Sequence, residues 1–418
     1  MIIVFLIYTF SALNWTKEHY LLLSFFYVTV LFFVARGFEY GYSLKISKKP
    51  VIYLNKKMIN VMLILNIVNL YPTLMIIFAE EHLTLNVILA KIALASQGLG
   101  DAYYERGMNI LEVSIFRNKW LLFNFLYGPI ATFMTYNCML RIKSLNNFQK
   151  VIIVFIVVVE VGAYIAVGTN KLVFDYVVII LTCAFLNIFY STRRYKLCIK
   201  VFNMQTVIAS FVIVGALAFF GSTFSSRMEG QKDSGSYSNV ISGTQINQKQ
   251  LSVLPKDMQE PILGFESYLT QGLEHLDQAL GMEFKWCYGL GSSRYLTMFL
   301  GRFGISDKII ENRTYEERIA KRQGVKNGQY WYSFYVAYAN DITFIFVPLL
   351  IFFLAVMWGH YYRACLETDD WTYFPIFILL TICFFYLNAN NQIFGKAQLV
   401  SFIPLYIFSK LYSVKYKI

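Results

Sequence analysis

Charge is what this chain has least of. Only 15% of its 418 residues are Asp, Glu, Lys or Arg, where soluble domains average about 25%. With 57% of the residues hydrophobic, that scarcity excludes an ordinary soluble domain arrangement. Histidine is also rare. His19, His82, His275 and His360 are the whole set, and their scatter suggests no zinc site. The six cysteines do not build a disulfide framework. Cys138, Cys183, Cys198, Cys365 and Cys383 lie in or beside apolar runs, which leaves Cys287 alone in a long polar segment. No metal-ligand spacing occurs among them. The chain also lacks an Asp-x-Asp motif, an internal repeat and a heptad pattern.

In place of these features there are continuous apolar runs of membrane-spanning length. A helix needs roughly 20 mostly apolar residues to cross the hydrocarbon core, and only helices or closed barrels satisfy the backbone there. The runs do not alternate, so they read as helices. Ten spans are expected: 1–14, 20–36, 58–79, 120–140, 151–167, 172–190, 202–221, 340–362, 372–389 and 397–413. The expected fold is an all-α integral membrane protein with about ten transmembrane helices. Residues 1–221 make a seven-span N-terminal part, 222–338 a large periplasmic loop between spans seven and eight, and 339–418 a three-span C-terminal part. The first run begins at Met1 without a basic stretch or a small-residue cleavage site, so it reads as a retained span.

Orientation follows from the lysines and arginines. The loops 37–57, 141–150, 191–201 and 363–371, with Arg36 and the tail from about 410, hold 17 of the 37 Lys and Arg. They carry four acids: Glu39, Glu367, Asp369 and Asp370. The positive-inside rule makes this face cytoplasmic, with both termini on it. The net charge of +12 is then a signature of topology. A nucleic-acid partner would need the excess concentrated in one soluble module.

Two segments of the opposite face are too long to be mere connections. Residues 80–119 open with LTLNVILAKIALA, apolar at helical spacing, so an interfacial amphipathic or re-entrant helix is expected. A break at Gly98 and Gly100 then leads to DAYYERG. Residues 222–338 open with a Ser/Gly/Gln/Asn-rich stretch that reads as a mobile loop. PILGFESYLTQGLEHLDQALG follows, a helix with a glycine stop. Next comes YGLGSSRYLTMFLGRFG, which sets Arg294 and Arg302 among glycines and rings. GLGSSR is no dinucleotide fingerprint, since the third glycine and the strand–helix context are missing. Guanidinium forks match phosphate oxygens, and glycines let a backbone approach a ligand closely. The plain alternative is that both arginines form ion pairs within a folded cap. Glu160 is an ionisable group inside an expected span, where such groups are costly and often functional. Asp175 is expected to pair with Lys171, four residues before it.

A ten- to twelve-span chain with one dominant outer loop late in the sequence resembles the O-antigen polymerases, the oligosaccharide repeat-unit polymerases of bacterial surface polysaccharide. FESYLTQGLEHLDQALG followed by YGLGSSRYLTMFLGRFG is similar to that family's tyrosine-bearing helix, small turn and glycine–aromatic segment. WYSFYVAYANDITFIFVPLL resembles its approach to the next span, where an aromatic, small-residue run meets an acid, here Asp341. AYYERG resembles the earlier outer loop, with Arg106. The family's Gly-Ser/Thr-Arg turn reads Gly168-Thr169-Asn170-Lys171 here, so the arginine is absent and Lys171 is the available cation.

The resemblance implies an enzyme of the bacterial inner membrane for lipopolysaccharide biosynthesis. It would transfer a growing glycan from undecaprenyl diphosphate to the terminal sugar of the next lipid-linked unit at the outer face. It needs no cofactor and no metal; a chain-length regulator and a flippase are the implied pathway partners. Arg106, Lys171, Arg294 and Arg302 would compensate the charge of the leaving diphosphate. Glu274, His275 and Asp341, with Glu105 and Asp277 beside them, are the candidates for the base that takes the acceptor proton. Two alternatives stay open. One is an O-antigen ligase, which uses the same donor. The other is a polysaccharide flippase or transporter, although the halves are unlike and the mid-membrane charges expected there are nearly absent.

Overall fold

The computed structural model describes residues 1–46, 55–80, 82–97, 119–169, 171–195, 245–247, 249, 252, 255–293, 307–324, 332–368, 370–389 and 397–415. The chain opens with α1 (Ile2–Thr9), β1 (Leu13–Asn14), α2 (Tyr20–Ser43), α3 (Lys56–Phe78) and α4 (Leu85–Gln97). It continues with α5 (Lys119–Leu140), α6 (Asn147–Ala166), α7 (Lys171–Tyr195) and β2 (Gln245–Ile246). The last elements are α8 (Lys256–Leu280), α9 (Asp307–Glu311), α10 (Tyr315–Gln323), α11 (Phe334–Glu367), α12 (Tyr373–Phe385) and α13 (Ala397–Lys415).

Five of these helices are long and apolar enough to cross a bilayer: α2, α3, α6, α11 and Lys171–Ile188 of α7. The described fold is that of an all-α membrane protein. Helices α5 and α13, 22 and 19 residues long, coincide with two further expected spans. The expected span 202–221 lies outside the described residues. So does 98–118, the second half of the first long segment. Its front half is helical as the periodicity predicts, in α4.

Residues 1–14 differ from expectation. Helix α1 has eight residues, about 12 Å of rise, less than half of what a span requires. The chain then straightens. Leu13 and Asn14 pair antiparallel with Ile246 and Gln245, and the Ala12 carbonyl accepts from Asn247 N at 2.8 Å. The cause is polar: the groups from Ser11 to His19 find partners on α8, which a lipid-facing helix could not offer.

The chain forms two compact units. The first comprises Met1–Ser47, Ser238–Ala364 and Leu379–Leu399. Within it α2 and α11 touch backbone to backbone. A Cβ placed on Gly41 would sit 2.0 Å from the Val356 carbonyl oxygen, and Gly37 lies one turn before it. Small residues four apart permit this approach between membrane helices. Asn388 ties the interior together, donating to Tyr27 Oη at 3.0 Å and accepting from Tyr335 Oη at 3.0 Å.

The second unit comprises Lys48–Tyr237, Cys365–Ile378 and Val400–Ile418. Here neutral amides join the helices. Asn124 of α5 donates to Asn69 of α3 at 3.2 Å and to Thr73 at 2.9 Å, while Tyr127 donates to Asn66 at 2.8 Å. Helix α6 starts on a capping box, with Asn146 accepting from Gln149 N and Gln149 from Asn146 N. The apolar side of α4 packs through Val87 and Ile88 on a core of Met75, Phe78, Leu83 and Val167.

Candidate functional site

Helix α8 carries Glu266, Thr270, Glu274 and Asp277 at spacings that return to one helical face. That face holds the segment 8–19. Glu266 accepts from Ala12 N at 2.9 Å, and Thr270 accepts from the Trp15 indole at 3.0 Å. Glu274 accepts from Tyr8 Oη at 2.9 Å, from Gln278 at 2.9 Å and from the Thr16 hydroxyl. Both Asp277 oxygens accept from His19 N, at 3.2 and 3.0 Å. Burial pushes the Glu266 and Asp277 carboxyls above the ordinary carboxylate range, against the hydrogen bonds that pull them down. His275 points elsewhere: it is buried, its ring 4.6 Å from that of Tyr332.

Asp341 has a different task. Its two oxygens accept from Gly291 N at 3.0 Å and Ser292 N at 2.7 Å, which pins the GLGSS turn to the start of α11. Its neighbour Asn340 accepts from Cys287 N through its carbonyl (3.1 Å) and from Tyr315 N through its side chain (2.8 Å). Asn340 also donates to Glu316 at 2.7 Å. One dipeptide therefore fixes both the turn and the first residues of α10. A Cβ on Gly291 would come within 2.6 Å of the Asn340 and Cys287 side chains. The bareness of Gly291 thus serves packing inside the protein. Burial raises Glu316, and it pushes the Cys287 thiol up to about 12, which keeps that sulfur unreactive.

The segment between α8 and this turn is aromatic and stands out from the surface. Trp286 and Tyr288 are each 51% exposed, their rings 5.2 Å apart. Arg313, just before α10, donates from Nε to the Trp286 carbonyl at 2.6 Å and lies 5.0 Å from the Tyr288 ring centre. Arg318 donates to the Glu283 carbonyl at 2.8 Å, while its second terminal nitrogen is buried without a partner.

Below these rings runs an open apolar groove of about 480 Å³, lined by Phe284, Trp286, Asp341, Ile342, Thr343, Phe346, Leu349, Leu350 and Phe353. Its floor is one stripe of α11, because positions 346, 349, 350 and 353 recur at helical spacing. At its head α11 is broken. Thr343 has φ 63° and ψ 157°, a region that costs a β-branched residue on the order of 1–3 kcal/mol. The Thr343 hydroxyl is buried without a hydrogen-bond partner among the described residues.

The expected site residues therefore have separate surroundings. Glu274, His275 and Asp341 belong to the first unit. Lys171 belongs to the second, where it pairs with Asp175 at 2.6 Å, as the spacing predicts. Glu160, also in the second unit, accepts from the Tyr176 hydroxyl. Arg106, Arg294 and Arg302 lie outside the described residues, as does Glu105. Sequence reasoning missed Arg313, the Phe284–Trp286 wall and the break at Thr343. Alternation of rings in FKWCY was a usable signal for the wall, whereas nothing in DITFIF marks a break. Among the described residues no group of His, Cys, Asp or Glu could hold a metal ion. Set against known proteins, the chain matches no family model, no curated protein and no solved structure.

Proposed function

We propose that this chain is a membrane glycosyltransferase that polymerises lipid-linked oligosaccharide units, moving a growing glycan from a polyprenyl diphosphate to the next lipid-linked unit. One observation carries the reading: an apolar groove on the membrane-spanning helix α11 opens beneath an exposed aromatic and cationic loop. An amphipathic substrate needs both parts, a slot for its tail and rings with guanidinium groups for its sugar and phosphate ends. Asp341 supports the reading as an anchor, since it holds the turn that leads into Arg294. The same bonds occupy it as an acceptor, and Glu274 is likewise held by Tyr8, Gln278 and Thr16, so His275 is the first residue to test as base.

The reaction is tested in a strain deleted for this gene, by the length of its surface polysaccharide. Single repeat units on the acceptor support a polymerase; complete loss of glycan transfer points to a ligase or flippase. In the complemented strain, Arg294→Ala and Arg302→Ala should each shorten the polymer at normal protein levels. A charge-assisted bond that strengthens as diphosphate leaves should be worth roughly 1.5–3 kcal/mol, about tenfold to a few hundredfold in turnover. Normal polymer length in the deletion strain would sink the reading.

A further inference from the structure

We infer that the groove beneath Trp286 binds one chain of a membrane lipid whose phosphate headgroup carries a net negative charge, unlike zwitterionic phosphatidylcholine, and that Arg313 binds that phosphate. The first argument is length. From Phe346 to Phe353, past the break at Thr343, the floor rises about 10 Å along α11, about a third of a hydrocarbon core of about 30 Å. The slot therefore fits a chain lying within one leaflet.

The second argument is the cation bonded to its wall at Trp286. Nε of Arg313 is spent on the Trp286 carbonyl, which orients the guanidinium beside the groove wall. Its terminal nitrogens have no hydrogen-bond partner among the described residues, and Tyr288 steadies the plane from one side. That leaves the fork of donors that matches phosphate oxygens. Lys285, also exposed, adds a second positive charge next to Trp286.

Glu283 and Glu311 stand two residues before Lys285 and Arg313, but among the described residues Arg313 forms no ion pair, and two further carboxylates are engaged inside the protein. Asp341 gives both oxygens to the turn. Glu316 accepts from Asn340, and burial favours its neutral form. A wholly apolar occupant would leave the terminal nitrogens of Arg313 unmatched.

The inference rests on the proposed reaction only for the class of ligand; the site itself is read from its geometry. The test uses the full chain, purified and returned to vesicles of phosphatidylcholine doped with lipids brominated on their acyl chains. Bromine quenches tryptophan at contact, and comparison with Trp286→Phe isolates the Trp286 signal from the other five tryptophans. Brominated phosphatidylglycerol should compete for Trp286 about tenfold better than brominated phosphatidylcholine, the effect of about one charge-assisted bond. Arg313→Gln should reduce that preference to about one, and Arg313→Lys should keep part of it. Arg322→Gln, at an exposed pair with Glu18, should leave it unchanged.

Equal quenching by both lipids in the unaltered protein would overturn the inference without any variant. So would an undiminished preference in Arg313→Gln. Selective quenching together with normal polysaccharide in the deletion strain would keep the lipid site and refute the polymerase. The opposite pair of results would keep the polymerase and refute the site.

Discussion

The two units of this molecule fix their segments by different chemistry. In the first, carboxylates of α8 and α11 grip backbone N–H groups and hydroxyls: Glu266 on Ala12, Asp277 on His19, Asp341 on the turn at Gly291 and Ser292. In the second, α3 and α5 are joined by neutral amides and hydroxyls alone, Asn66 and Asn69 meeting Tyr127 and Asn124. The difference follows from the medium. A charge among lipid-facing helices costs several kcal/mol, so α3 and α5 are joined by groups that carry dipoles, and two carboxylates on this unit's helices, Glu160 and Asp175, each meet a partner side chain, Tyr176 and Lys171. A carboxylate beside a polar strap can recruit several donors and form stronger, charge-assisted bonds. Where the first unit must bring two membrane helices together, it uses bare glycine backbone, as at Gly41.

That comparison can be broken at three points. The largest effect is expected from Gly41→Leu. Its new side chain would start 2.0 Å from a backbone oxygen of α11, which cannot move away as a flexible side chain could. The first unit should lose several kcal/mol of stability, beyond the 1–3 kcal/mol usual for overpacking, and much of the protein should fail to reach the membrane. Normal expression and an unaltered midpoint in detergent unfolding would show that α2 and α11 do not touch here.

The next pair sets charge against dipole directly. Glu274→Ala leaves the donors of Tyr8, Thr16 and Gln278 without their acceptor. At about 1–3 kcal/mol for each buried donor, the loss should be about 3 kcal/mol or more. Protease should then cut the chain between residues 8 and 19. Asn66→Leu removes one amide while Tyr127 keeps its bond to the Met62 carbonyl. Interhelical bonds of this kind average about 0.6 kcal/mol, so about 1 kcal/mol should be lost. A larger penalty for Asn66→Leu than for Glu274→Ala would reverse the comparison.

The smallest effect is pH dependence. The folded Glu266 and Asp277 carboxyls titrate above their ordinary range, so protonation favours the fold. Their contribution is complete below the unfolded pKa of about 4 and is lost as pH rises through the raised values. The protection of the His19 amide, its exchange taken relative to the base-catalysed intrinsic rate at each pH, should thus be greater at pH 5 than at pH 8, by at most about 1.4 kcal/mol per pH unit for each group. Asp277→Asn should flatten that slope. A slope of the opposite sign would mean that bonding to the strap outweighs burial.

Much of the fold could be read from the order of residues, because a membrane helix is specified locally. An apolar run of sufficient length is helical wherever it lies in lipid. Helices α2, α3, α5, α6, α7, α11 and α13 accordingly fall on expected spans. Lys171 with Asp175, and Gly281 at the end of α8, were legible for the same reason: partners four residues apart or a stop after the last turn need no third segment.

Tertiary structure decided what depended on distant partners. Residues 1–14 are apolar enough to suggest a span, yet their polar atoms bond to groups about 250 residues away on α8, and local pattern holds no record of that. Asp341 looked like a free carboxylate until a turn 50 residues earlier occupied both its oxygens. Arg313 lies outside every motif that the sequence singles out, and only the fold set it beside Trp286. Sequence determined which segments are helices, since hydrogen bonding within a helix is local. The fold alone decided which side chains meet, since loop closure and burial bring together residues that no periodicity connects.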